Sequence, residues 1–245
     1  MILQGKRILV TGASRGLGRA LVREFVRQGA QVAFTYGRDD AGAQETLALA
    51  AAAGREALAR KVSVLDGPGT EALVADLERA WGGLDVLVNN AGITQALPLA
   101  LLEEEDWDRV MDVNVKGTFL TSRAVVKGMI RRKAGVILNL GSLAGVRMIE
   151  APVHYYTSKA AIKGFTEALA KEVARYRIRV LCLAPGLLDD GVGRNLPEHR
   201  LKDYLAHDAL GRVGTVEEVA RLAAFLVSDR NAYMNGETVV VDGGL

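Results

Sequence analysis

A tyrosine and a lysine four positions apart, Tyr155 and Lys159, are the residues of this sequence that point most directly to chemistry. Four positions is about one helical turn, so a helix would carry both side chains on one face. The pKa of a free tyrosine is about 10, and a nearby ammonium lowers it. Tyrosine could then act as a general acid toward a carbonyl oxygen. Taken alone, such a pair is more often a solvated helix face.

Further polar residues stand where strands are predicted to end. Ser142 follows an apolar run, and its hydroxyl could hold a carbonyl oxygen or simply cap the strand end. The segment Asn89-Asn90-Ala91-Gly92 ends another run. Asn114 lies inside a predicted helix, where asparagine is a poor helix former, and a residue that breaks local propensity indicates a site. Carboxyl ends of parallel strands are where open α/β sheets bind ligands.

A glycine-rich turn precedes the first predicted helix. Thr11-Gly12-Ala13-Ser14-Arg15-Gly16-Leu17-Gly18 follows the first strand and has the spacing G-x-x-x-G-x-G. Glycines let the backbone approach a ligand, and a helix start offers free N–H groups to a pyrophosphate. The alternative is a glycine-rich turn without a ligand.

The end of the second predicted strand bears on the choice of dinucleotide. No acid occupies the strand tip; Arg38 follows it, and Arg15 projects from the glycine turn. An acid there would bind a free ribose hydroxyl, whereas arginine favours a 2′-phosphate. The residues therefore favour NADP over NAD. Asp39 and Asp40 follow closely, and we interpret them as N-caps of the next helix.

Seven short apolar runs alternate with helical patterns and predict the elements that position these residues. Runs rich in Val, Ile and Leu with little polar alternation are typical of strands buried on both faces. The predicted strands are Arg7–Thr11, Gln31–Tyr36, Ala57–Val64, Leu84–Asn89, Gly135–Leu140, Ile178–Ala184 and Thr238–Val241. The predicted helices are Gly18–Gln28, Ala41–Ala53, Thr70–Trp81, Asp106–Arg132, Val153–Arg175 and Thr215–Ser228, the last with a Thr215/Glu218 capping box.

The alternation predicts an α/β fold: a single Rossmann-like domain over residues 1–245, with a doubly wound parallel sheet of about seven strands and helices on both faces. The stretch 186–214 interrupts the alternation, and we interpret it as a substrate loop or lid with short helices.

Composition excludes several classes of protein. The net charge is +2 without a basic tail, which argues against nucleic-acid binding. No apolar run is long enough to cross a membrane, and the single cysteine, Cys182, lies in an apolar run where a buried structural role is expected. A reducing compartment fits this cysteine count, so we expect a cytoplasmic protein.

Together, these residues resemble the short-chain dehydrogenase/reductase family along nearly the whole chain. The match rests on the glycine turn, Asn89–Gly92, Asn114, Ser142, Tyr155-x-x-x-Lys159 and Pro185-Gly186. Within the family, the segments 211–219, 225–228 and 235–244 look most like 3-oxoacyl-[acyl-carrier-protein] reductases. The resemblance implies NADPH-dependent reduction of a 3-oxoacyl thioester. A reductase or dehydrogenase of the same family acting on a sugar, alcohol or other ketone is the alternative, and an idle dinucleotide-binding regulator is a third hypothesis.

Roles for single residues follow from the resemblance. Tyr155 would protonate the carbonyl oxygen, Lys159 would lower the pKa of Tyr155 and hold the nicotinamide ribose, and Ser142 would orient the carbonyl. Asn114 would keep a water in a proton relay. Family spacing selects Tyr155 over Tyr156. The implied cofactor site comprises Gly12, Ser14, Arg15, Gly16, Leu17, Gly18, Arg38, Ser63, Val64, Asn90, Ala91, Gly92, Tyr155, Lys159, Pro185, Gly186 and Leu188.

Two positions depart from the family pattern. Asp190 stands near a usual threonine that contacts the nicotinamide carboxamide, and Ser63 stands where the third strand usually ends in an aspartate. The resemblance also implies a homotetramer that packs residues 106–132 and 153–175 across one interface. An acidic acyl carrier protein could be attracted by Arg131-Arg132-Lys133, or by Arg175, Arg177 and Arg179, although solvated helix ends explain these charges equally well.

Overall fold

The sheet of the protein, seen in a computed structural model that describes residues 1–191 and 198–245, has seven parallel strands. The strands are β1 (Arg7–Val10), β2 (Gln31–Tyr36), β3 (Leu58–Lys61), β4 (Val86–Asn89), β5 (Gly135–Leu140), β6 (Ile178–Pro185) and β7 (Thr238–Val241). Their order is β3-β2-β1-β4-β5-β6-β7, so the winding reverses between β1 and β4. The predicted doubly wound fold is confirmed.

Eight α-helices are described: α1 (Gly16–Arg27), α2 (Asp40–Ala52), α3 (Gly67–Trp81), α4 (Glu104–Met111), α5 (Gly117–Arg132), α6 (Val153–Val173), α7 (Glu198–His207) and α8 (Val216–Val227). Side chains in the sequence fix several starts. Asp39 accepts from the Gly42 N–H at α2, and the predicted Thr215/Glu218 capping box begins α8. The interpretation of Asp39 as an N-cap is thus confirmed, whereas Asp40 lies within α2.

Two hydrophobic clusters cover the two faces of the sheet. Ile8 and Val10 belong to the cluster that includes α1 and α8, while Leu9 between them belongs to the cluster under α3, α5 and α6. Neighbouring residues of one strand therefore enter different cores, because side chains alternate across a strand. This explains why the central strands are continuous apolar runs rather than alternating ones.

The predicted single helix Asp106–Arg132 is wrong in one respect: it is interrupted. A π-helical turn, Asp112–Lys116, separates α4 from α5 and contains Asn114. A π turn inserts an extra residue into the helical repeat and is frequent at functional sites. Asparagine, a poor helix former, sits where the regular helix gives way.

One further prediction needs correction at the sheet edge, whereas the loop after β6 contains a helix, as expected. The third strand, predicted as Ala57–Val64, spans only Leu58–Lys61 because β3 is an edge strand paired with β2 alone. Ser63 and Val64 therefore lie beyond its end.

The predicted substrate loop 186–214 contains α7, and its residues 192–197 lie outside the described residues. Among the described helices, none has the length and apolarity needed to span a bilayer.

Candidate active site

The loops that carry the predicted site residues leave the sheet at one edge. The glycine turn follows β1, Asn90–Gly92 follows β4, Ser142 follows β5 and Gly186 follows β6. Since all seven strands are parallel, these four connections share the carboxyl rim on either side of the winding reversal. An open α/β sheet binds its ligands at this place.

Close backbone contacts shape the glycine turn. Gly12 has φ +67, and a Cβ there would lie 2.7 Å from the Cα of Ala91. A Cβ on Gly18 would lie 2.5 Å from the carbonyl oxygen of Gly12. The Asn90 side chain donates to the carbonyls of Thr11 and Gly12 at 3.0 and 2.9 Å. Hydrogen bonds thus join the turns after β1 and β4, and Gly12 and Gly18 lie where a larger side chain would clash with the backbone.

Helix α1 begins at this turn, and no side chain caps its N-terminus in the described structure. Arg15 is the N-cap residue, and its side chain makes no capping hydrogen bond. The first-turn N–H groups and the positive end of the helix dipole are therefore available to an anion. The backbone of Gly191 lies over the same turn, because a Cβ on Gly16 would be 3.2 Å from the Gly191 Cα. A dinucleotide pyrophosphate fits the chemistry of this cradle.

The charges at the end of β2 agree with the sequence prediction except at Asp40, which lies within α2 and does not cap it. Arg15 and Arg38 are both exposed. Asp39 is committed to capping α2, and Asp40 binds Lys61 at 2.6 Å. The pKa of the Asp40 carboxyl is lowered by hydrogen bonds from Lys61 and Tyr36. Both carboxylates are thus engaged within the chain, while the two arginines face solvent.

Tyr155, Lys159 and Ser142 meet above the ends of β5 and β6. The Nζ of Lys159 lies 5.7 Å from the centroid of the Tyr155 ring, and the Ser142 side chain is hydrogen-bonded to the Tyr155 hydroxyl. Lys159 is buried at 7% exposure, and its Nζ donates to the carbonyl of Leu140 at 2.8 Å. The structure therefore brings a phenol, a hydroxyl and an ammonium together, as the sequence predicted.

Burial is the largest influence on the protonation of Tyr155 and Lys159. Burial raises the pKa of Tyr155, with the Ser142 hydrogen bond acting in the opposite direction. Burial also lowers the pKa of Lys159 to about 8. Burial and the Ser142 hydrogen bond are the causes of the shift at Tyr155, so a lowering of its pKa by the Lys159 ammonium stays a prediction. At neutral pH, Tyr155 holds its proton and is able to donate it.

Asn114 ties the π turn to both neighbours of the site. Its Oδ1 accepts from the Ile93 N–H at 2.8 Å, and its Nδ2 donates to the Ile93 carbonyl at 3.0 Å and to the Ser158 hydroxyl at 2.9 Å. Ser158 in turn donates to the carbonyl of Tyr155 at 2.7 Å. Asn114 thus connects the loop after β4 with the first turns of α6. Sequence reasoning missed Ser158.

A second group that sequence reasoning missed is a buried polar network under the site. The Asn89 side chain donates to Ser122 and to Asn139, and Asn139 donates to Thr166. Thr121 completes it by donating to Asn89 at 2.6 Å. The network fixes α5 and α6 on β4 and β5. The available signal was an asparagine within the apolar strand Gly135–Leu140.

The two departures from the family pattern have local structural roles. Asp189, next to Asp190, accepts from the Val216 N–H at 3.1 Å and caps α8, while Asp190 accepts from the Gly191 N–H at 2.7 Å. Ser63 is exposed, and its hydroxyl accepts from the Leu65 N–H at 3.2 Å. Val64 packs on α5, since a Cβ on Gly117 would lie 2.7 Å from it.

The remaining predicted cofactor residues complete the rim. Gly186 is confined, because a Cβ there would lie 2.5 Å from the Tyr204 hydroxyl, and Leu188 bridges to Gly214. Pro185 is the last, buried residue of β6.

Three arginines of the two clusters considered for an acidic partner bind groups within the chain. Arg131 and Arg132 both bind Glu78, and Arg132 also donates to the carbonyl of Leu84. Arg179 donates to the carbonyls of Leu226 and Ser228 at the end of α8. These three arginines therefore have structural roles.

Comparison with known proteins adds a family and relatives. The family model described as enoyl-(acyl carrier protein) reductase matches residues 12–245. A 3-oxoacyl-[acyl-carrier-protein] reductase from Pseudomonas aeruginosa is 38% identical over 245 residues, covering 100% of this chain and 99% of that protein. One from Chlamydia trachomatis is 36% identical, covering 100% and 98%. A short-chain dehydrogenase from Burkholderia cenocepacia, solved in complex with NADP, superposes with a TM-score of 0.91 at 35% identity, covering 100% and 99%.

Proposed function

The chain belongs to the short-chain dehydrogenase/reductase family, and from this premise we propose that it reduces the ketone of a 3-oxoacyl thioester to the 3-hydroxyacyl form with NADPH. The observation that carries this proposal is the contact of the Tyr155 and Ser142 hydroxyls beside the buried Lys159. Relatives named 3-oxoacyl-[acyl-carrier-protein] reductases support the substrate class.

In the proposed reaction, the bound nicotinamide supplies the hydride. The protein supplies the proton and holds the carbonyl oxygen. Tyr155 keeps its proton at neutral pH and donates it to that oxygen as the carbonyl is reduced. The Ser142 hydroxyl fixes the oxygen beside the phenol. Lys159, at neutral pH below its pKa of about 8, places a positive charge next to the phenolate that forms.

The dinucleotide would lie across the winding reversal, with its pyrophosphate on the start of α1. The open first turn of α1 and the crowded glycine turn fit that group. Arg15 and Arg38 would pair with a 2′-phosphate, while Asp39 and Asp40 are engaged elsewhere. We expect Arg38→Glu to lower the preference for NADPH over NADH at least tenfold, because it replaces attraction of the phosphate by repulsion. An unchanged preference would contradict this assignment of the 2′-phosphate.

The family model and the relatives carry the names of two reactions, reduction of a C=C bond and reduction of a C=O bond. Tyr155 and Ser142 present their hydroxyls to a carbonyl oxygen, and a proton on that oxygen completes the reduction of a ketone, whereas reduction of a C=C bond needs its proton on carbon. This site therefore favours the ketone.

Steady-state oxidation of NADPH tests the proposal. Acetoacetyl and crotonyl thioesters, a sugar panel and simple ketones would each be assayed with NADPH and with NADH. We expect the highest kcat/KM for the acetoacetyl thioester with NADPH and no turnover of the crotonyl thioester. A higher kcat/KM for a sugar or a simple ketone would assign the chain to the alternative substrate class, and no turnover of any substrate would indicate an idle dinucleotide binder.

Three further expectations belong to this proposal. An acyl carrier protein is the proposed source of the thioester, the compartment is the cytoplasm, and the assembly is a homotetramer. Exposed apolar side chains on α5 and α6, among them Phe119 at 43% and Val153 at 43%, support an interface across these helices. Multi-angle light scattering of the purified chain would test the tetramer, and a monomeric mass would contradict it.

A further inference from the structure

A fully buried histidine precedes the tyrosine of the proposed active site. His154 has 0% exposure, and neither of its ring nitrogens has a hydrogen-bond partner in the described structure. A neutral imidazole carries one donor and one acceptor, and buried polar atoms normally find partners. Such an arrangement is tolerated by a neutral ring and is far more costly for a charged one.

The position of His154 in the helix adds to the cost of a positive charge. It is the second residue of α6, directly before Tyr155. Free N–H groups and the positive end of the helix dipole lie at this end, so a cation there is repelled. Burial lowers the pKa of His154 below its ordinary value of 6.5, in agreement with the geometry.

One charge near the His154 ring opposes the effect of burial on its pKa. Elements packed against α6 include α4, the π-helical turn, β5, β6 and the 3₁₀ turn Ala174–Tyr176. Of their charged and titratable residues, only Asp106 on α4 acts on His154, and it raises the pKa against the larger effect of burial. The set comprises Glu104, Glu105, Asp106, Asp108, Arg109, Asp112, Lys116, Arg175, Tyr176, Arg179 and Cys182. No hydrogen bond joins the ring to Asp106 in the described structure, because both ring nitrogens are unpartnered.

The first turn of α6 links this ring to the tyrosine. Ser158 donates to the Tyr155 carbonyl and accepts from Asn114, while the Tyr155 hydroxyl meets Ser142. We propose that His154 is a positioning residue for Tyr155: as the neutral imidazole it holds the first turn of α6 against α4, and when protonated it releases that turn and draws Tyr155 away from Ser142. The site would therefore lose its geometry in mild acid.

The linkage between proton binding and packing gives the size and direction of the expected pH effect on the first turn of α6. Above pH 6.5 the ring is neutral in both the packed and the released turn, so pH has no effect. Below 6.5 the released turn binds a proton that the packed turn does not, and packing weakens as the pH falls. Opening of the turn should increase up to about tenfold between about pH 7.5 and about pH 5.5.

Hydrogen exchange and NMR test this without any assay of activity. The sequence has three histidines, and the other two, His199 and His207, are exposed. In the His199→Gln/His207→Gln double variant, the remaining imidazole resonance reports His154 alone. We expect its titration midpoint to lie below 6.5, and the protection of amides in the first turn of α6 to fall up to about tenfold on acidification over the range given above. A titration midpoint at or above 6.5 would overturn the proposal.

His154→Phe supplies the matched variant, since phenylalanine fills a similar volume and cannot be protonated. We expect protection of the first turn to become independent of pH in this range. The measurement of activity rests on the proposed function. In the wild type kcat/KM for ketone reduction should fall as the pH is lowered, and in His154→Phe this fall should be smaller. If exchange behaves as expected and no substrate turns over, the proposed function fails while the role of His154 stands. An equal acid loss of protection in wild type and His154→Phe would refute that role. If His154→Phe does not fold, the NMR titration decides.

Discussion

Removing the buried ammonium of Lys159 should stabilise the protein while it abolishes activity. Lys159 is 7% exposed, and burial lowers its pKa from 10.5 to about 8. The folded chain therefore holds a charge in a place that disfavours it. Methionine has a similar length and no charge, so Lys159→Met tests this directly.

The magnitude follows from the shift in pKa. A shift from 10.5 to about 8 corresponds to a cost of about 3 kcal/mol for the charged form in the folded state. The substitution also removes the hydrogen bond to the Leu140 carbonyl, a loss of about 1 kcal/mol. At pH 7, Lys159→Met should thus raise the free energy of unfolding by about 2 kcal/mol.

The sign of the pH dependence is fixed as well. Between pH 8 and 10.5 the unfolded chain keeps a proton that the folded chain has released, so the stability of the wild type rises with pH in this window. The advantage of Lys159→Met should therefore shrink from pH 8 upward and be lost by pH 10.5.

Urea unfolding of both proteins at pH 7 and near pH 10 measures the effect. Lys171→Met, at an exposed position of the same helix, is the control and should change stability by less than about 0.5 kcal/mol. Turnover of the acetoacetyl thioester should fall at least about 100-fold in Lys159→Met. A variant destabilised equally at both pH values would refute the reasoning.

Three further perturbations test the packing around the site. Asn139→Leu removes an acceptor of the buried Asn89 amide and should therefore lower the free energy of unfolding, measured in urea titrations, by about 2–4 kcal/mol. A loss below about 0.5 kcal/mol would show that the polar network contributes little to stability. Thr215→Ala removes the capping box of α8 and should cost about 1 kcal/mol, which Thr215→Ser should largely restore. Gly141→Ala places a Cβ 2.6 Å from the Cys182 sulfur, so it should lower the free energy of unfolding by about 1–3 kcal/mol and slow turnover. Adding Cys182→Ala should relieve both effects. If it relieves neither, this clash is not their cause.

The central strands could be predicted from the sequence because burial on both faces leaves an unmistakable apolar run. Gln31–Tyr36 and Gly135–Leu140 have the predicted bounds, and so does the edge strand Thr238–Val241. The edge strand β3 was predicted too long, because its pairing with β2 covers only Leu58–Lys61.

For the site, the sequence indicated the reacting side chains but not their electrostatics. Asn114 was detectable because it breaks helix propensity, although its π turn was not. The raised pKa of Tyr155 depends on neighbours that come together only in the fold. The same holds for His154, whose sequence neighbours give no sign that both ring nitrogens are buried without partners.

A single-turnover comparison of Tyr155→Phe with Tyr156→Phe tests the central claim most directly. The two tyrosines are adjacent, but the Tyr156 hydroxyl donates to the Arg147 carbonyl at 3.1 Å, away from Ser142. With enzyme in excess, NADPH oxidation by the acetoacetyl thioester should slow about 10²- to 10⁴-fold in Tyr155→Phe and less than about threefold in Tyr156→Phe, with NADPH affinity nearly unchanged in both. A Tyr155→Phe rate within about tenfold of the wild type would contradict a role for this phenol as the proton donor.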